Sequence, residues 1–73
     1  MDEKSIGKVW ESYNKAAPHL SELAWLKSEI NYLIPNTENL DMFIDALNLK
    51  LKEEKTVSRK TDLKIFIFYL TSK

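Results

Sequence analysis

Ile65-Phe66-Ile67-Phe68-Tyr69-Leu70, close to the end of a 73-residue chain, reads in two ways. Its residues favour strands, yet Leu63, Phe66, Ile67 and Leu70 also recur at helical spacing. A lone strand needs a partner, and the only nearby candidate is the short stretch 56–59. The rest of the chain is patterned for helices, so the sequence predicts a helix over residues 58–70, with a strand as the alternative.

The preceding segments set that context. Gly7 is the only glycine, and Pro18 and Pro35 are the only prolines, too few turn residues for a β-rich domain. In residues 5–17, Ile6, Val9, Trp10, Tyr13, Ala16 and Ala17 make one apolar stripe. A second helix is expected over 18–33, opened by Pro18 and carrying Leu20, Leu23, Leu26, Ile30, Leu33 and Ile34 on its core face. A third is expected over 37–54, capped by Asn36 or Thr37, with Leu40, Phe43, Ile44, Leu47 and Leu51 inward. Acidic Glu38 and Asp41 near its start and Lys50, Lys52 and Lys55 near its end suit the helix dipole. For the last helix Ser58 or Thr61 is a candidate cap. The fold class is therefore all-α: one domain, residues 1–73, a four-helix array with short connections.

Composition narrows the function. Eleven basic residues balance eleven acidic ones, which argues against a strongly basic nucleic-acid protein and against an acidic mimic of one. With no cysteine and a single histidine, disulfides, cysteine-based zinc sites and histidine clusters are excluded. No apolar run is long enough to cross a membrane, and Met1-Asp2-Glu3-Lys4 leads into no signal-like stretch, so cytoplasmic residence is the default expectation. An interfacial role for the last segment is disfavoured, because only Lys64 and the terminal Lys73 could supply its basic face.

No constellation for catalysis, metal or cofactor emerges. His19 has Glu22 three residues on, but no third ligand lies nearby. Asp41 and Asp45, one turn apart, suit general acid–base or cation chemistry, and equally a solvated acidic face, where most such residues lie. There is no glycine-rich phosphate loop.

The apolar residues are distributed unusually. Trp25 and Tyr32 lie opposite the core face of the second helix, and Met42 and Leu49 opposite that of the third. The fourth carries Ile65, Phe68 and Tyr69 outside its main stripe, so it is apolar nearly all round, a pattern normally buried all round. A chain this short has little room to do that alone, and the simplest remedy is a second copy, giving a symmetric dimer. The sequence thus points to a non-enzymatic interaction protein, an adaptor, inhibitor or regulator of the type common among phage and mobile-element products. Trp25, Tyr32, Met42, Leu49, Ile65, Phe68 and Tyr69 are its expected protein contacts. The alternative is a small DNA-binding regulator. Residues 50–64 carry six cations against three anions, and Val57-Ser58-Arg59-Lys60-Thr61 loosely resembles the start of a helix-turn-helix recognition helix. Lys55, Arg59, Lys60 and Lys64 would then be the contacts. Arg59 is the only arginine, which weakens that reading.

Overall fold

The computed structural model describes residues 1–72 and contains four helices: α1 (Glu3–Ala16), α2 (Leu23–Asn36), α3 (Leu40–Glu53) and α4 (Val57–Thr71). No strand occurs among the described residues, and the 65–70 stretch is helical throughout. Lys73 lies outside them. None of these helices is long and apolar enough to cross a membrane.

Asp2 starts α1 by accepting from the Ser5 amide at 2.9 Å, with Glu3 in the first turn and Lys15 in the last. Val9, Ser12 and Ala16 form its buried face. The helix passes directly into a 3₁₀ turn, Ala17–His19, instead of ending at Pro18. Pro18 therefore opens that turn, and α2 begins five residues later than its proline suggests. The intervening residues are extended at Leu20, and the Tyr13 hydroxyl donates to the Leu23 carbonyl at 3.0 Å.

Pro35 lies inside the last turn of α2 instead of beyond it. It has no N–H to give the carbonyl four residues back, and the helix ends one residue later. Asn36 and Thr37, expected to cap α3, finish α2 instead. The Asn36 side-chain amide donates to the Tyr32 carbonyl at 2.7 Å, and the Thr37 hydroxyl donates to the Leu33 carbonyl at 2.8 Å. The Leu33 carbonyl is among the last four, which a helix end leaves without partners. Asn39 takes the capping role, accepting from the Met42 amide at 2.9 Å. For α4 neither proposed cap acts: Ser58 donates to Glu22, and the Thr61 hydroxyl bonds the Val57 carbonyl one turn back.

The core joins Val9 of α1, Leu26, Ile30 and Leu33 of α2, Phe43 and Leu47 of α3, and Leu63, Phe66 and Leu70 of α4. Each such side chain contributes about 1.5–3 kcal/mol on burial. Phe43 meets Phe66 edge to face, with ring centres 6.4 Å apart. Helix α4 packs against each of the other three, which accounts for its apolar content. Its burial is nevertheless one-sided, contrary to the all-round burial its sequence suggests. Asp62, Leu63, Phe66 and Leu70 are inside, and Ile65, Ile67 and Tyr69 are half-buried. Val57, Lys60, Thr61, Lys64 and Phe68 face solvent. Three neighbouring helices cover only the flanks of a helix whose fourth side has nothing to pack on.

Candidate protein-contact surface

The exposed side of α4 carries two features. Towards its C-terminal end, Ile65, Phe68 and Tyr69 with Lys64 and His19 line an open, mainly apolar hollow of about 380 Å³. The Tyr69 ring stacks on the His19 imidazole, 6.1 Å between centres and 11° from parallel. Phe68 stands edge-on to Tyr69 at 5.5 Å and is 66% exposed. An exposed imidazole thus ends the 3₁₀ turn and forms one wall of the hollow. Towards the N-terminal end, Val57 is 76% exposed, followed by Lys60 and Lys64, one turn apart.

Helix α3 presents the other expected contacts. Met42 is 44% and Leu49 58% exposed, and Asp41 and Asp45 lie exposed beside them. The acid pair is therefore a solvated face, and no three His, Asp or Glu side chains converge as a metal site among the described residues. On α2, Tyr32 is exposed, while Trp25 is half-buried and packed against the core. The Arg59 guanidinium covers the Trp25 ring, 5.0 Å from its centre. Of the seven expected contacts, Tyr32, Met42, Leu49 and Phe68 are open, and Ile65, Tyr69 and Trp25 are half-covered.

The four cations of the alternative reading separate. Lys55, Lys60 and Lys64 are exposed, whereas Arg59 is half-buried against Glu22 and Trp25. Its Nε donates to Glu22 at 3.4 Å while the Ser58 hydroxyl donates to the other carboxylate oxygen at 2.6 Å. These two donors, the hydroxyl foremost, hold the Glu22 carboxyl below its usual range. The only arginine therefore clasps α4 to the start of α2.

Beside this clasp lies a group that sequence reasoning missed. Asp62 is completely buried on α4, and its carboxylate accepts from the Ser21 amide at 2.9 Å and the Glu22 amide at 2.7 Å. Glu22 occupies the N-cap position of α2 but makes no capping bond with its own side chain. A carboxylate some 40 residues away instead accepts the amide of the N-cap residue and of the residue before it. The available signal was position: Asp62 precedes Phe66 by one turn, on the face that carries the core.

A larger, more polar groove runs along α1 and is lined by Lys4, Ser5, Gly7, Lys8, Glu11 and Leu40. No known family model, curated protein or solved structure matches this chain significantly.

Proposed function

We propose that this chain is a non-enzymatic interaction protein that associates with a second copy of itself and acts as an adaptor, inhibitor or regulator through protein–protein contact. The observation that carries this reading is the state of Phe68. It is a large aromatic side chain, two-thirds exposed, at an open apolar hollow, and aromatic anchors of this kind supply much of the energy of protein interfaces. Six large apolar or aromatic side chains stay exposed: Leu23, Tyr32, Met42, Leu49, Val57 and Phe68. Four of them lie on the outer faces of α3 and α4, two on each. The contacts of Arg59 with Glu22 and Trp25 count against the DNA-binding alternative, because they tie the only arginine in part to its own chain.

Light scattering tests the reading. The native chain is expected to scatter as a dimer, and a Phe68→Ser variant as a monomer with unchanged helical circular dichroism. A native chain that stays monomeric at high micromolar concentration overturns self-association.

A further inference from the structure

The outer faces of α3 and α4 both carry apolar residues but differ in charge: α3 is net negative, with Asp41 and Asp45 against Lys52, and α4 is positive, with Lys60 and Lys64. On α3, Asp41 and Asp45 accompany Met42 and Leu49. On α4, Lys60 and Lys64 accompany Val57 and Phe68. Each charged pair is four residues apart, so the two charges lie on one side of their helix about 6 Å apart. The spacing of the acids thus matches that of the bases. Among the described residues none of these four charges takes part in an ion pair, whereas Lys15, Lys50 and Arg59 each have a carboxylate partner. The lining of the α4 hollow contains Lys64 and His19 and no carboxylate.

We infer that the second copy docks through these two strips: the acidic α3 face of one chain lies on the basic α4 face of the other, with Asp41 and Asp45 opposite Lys60 and Lys64, and with Met42, Leu49, Val57 and Phe68 flanking these charges as the apolar part of the contact. This inference rests on the self-association proposed above and adds its surface and its selectivity. Each copy owns one strip of each sign, so a two-fold dimer makes the contact twice. The apolar residues supply the affinity. The charges reject the like-on-like arrangements, α3 on α3 or α4 on α4, that the apolar residues alone would permit.

The test uses two full-length charge-reversed chains, Lys60→Glu/Lys64→Glu and Asp41→Lys/Asp45→Lys. All four positions are exposed, so the variants are expected to keep native circular dichroism. Sedimentation equilibrium should show a native dimer, and each variant alone weakened by about tenfold or more. An equimolar mixture of the two should regain native-like association, because both contacts in the mixed dimer are again acid on base. Three results overturn the inference. If the native chain dimerises and the variants dimerise equally well, or if the mixture fails to recover, self-association stands and this surface is wrong. If the native chain is monomeric throughout, self-association falls as well, and a different protein is left as the occupant of these faces.

Discussion

Replacing Asp62 with alanine removes the carboxylate that joins α4 to the start of α2. The side chain is completely buried and accepts from two backbone amides, at 2.9 and 2.7 Å, with a further 3.2 Å contact from Ser21 to its second oxygen. A hydrogen bond to a charged group contributes about 1.5–3 kcal/mol. Ser21 is exposed, so its amide can turn to water once the carboxylate is gone, while the Glu22 amide is less accessible. The expected loss is therefore about 2–4 kcal/mol, from one full bond and part of another. A domain of this size has about 4–11 kcal/mol in total, so the change is a large fraction of its stability. The melting temperature should fall by about 10–25 °C. Asp62→Asn keeps one acceptor oxygen of similar shape and should lose less than alanine does. The assay is urea unfolding followed by circular dichroism, with native, alanine and asparagine chains compared at one pH. An alanine variant within about 0.5 kcal/mol of native, the range typical of inconsequential surface changes, would refute the claim that this carboxylate holds the two helices together.

Gly7 lies exposed in the middle of α1, and a Cβ there would meet no atom within 4 Å; Gly7→Ala should stabilise the fold by about 0.5–1 kcal/mol, read as a higher urea midpoint. Phe66 is fully buried against Phe43, so Phe66→Ala should cost about 3–5 kcal/mol, whereas Phe68→Ser, two residues on, should leave the monomer's unfolding midpoint nearly unchanged. The folded-state pKa of Glu22 lies below its unfolded value, so the stability of its clasp is complete above the unfolded pKa and lost as pH falls through the folded one. Carbon-detected titration of the Glu22 carboxyl should show this lowered midpoint, and Ser58→Ala should raise it towards the ordinary glutamate value.

Helix number and core faces were legible because the apolar periodicity was strong. Leu26, Ile30 and Leu33, and Phe43 and Leu47, lie where their spacing places them. The ends were less legible because polar side chains have more than one use. Asn36 and Thr37 read as N-caps, but both also donate, and they close the preceding helix instead. Pro18 and Pro35 mark helix ends only loosely, since a proline fits a 3₁₀ turn or a final helical turn without losing much. Among the exposed apolar residues, Tyr32, Met42, Leu49 and Phe68 were readable from their angle to the core stripe. Val57 escaped because it belongs to no periodic run. Trp25 reads as solvent-facing because projection ignores what another helix lays over a residue, in this case Arg59. The role of Asp62 depends on a partner 41 residues away, and single-helix periodicity carries no information about that.

The association surface is tested most directly by amide chemical shifts of the native chain followed over a dilution series. Concentration-dependent shifts are expected at Asp41, Met42, Asp45 and Leu49 on α3 and at Lys60, Lys64 and Phe68 on α4, with Lys8, Glu11 and Asn14 on the outer side of α1 unmoved. Shifts that do not change with concentration, or that change on α1 and leave α3 and α4 still, would contradict it.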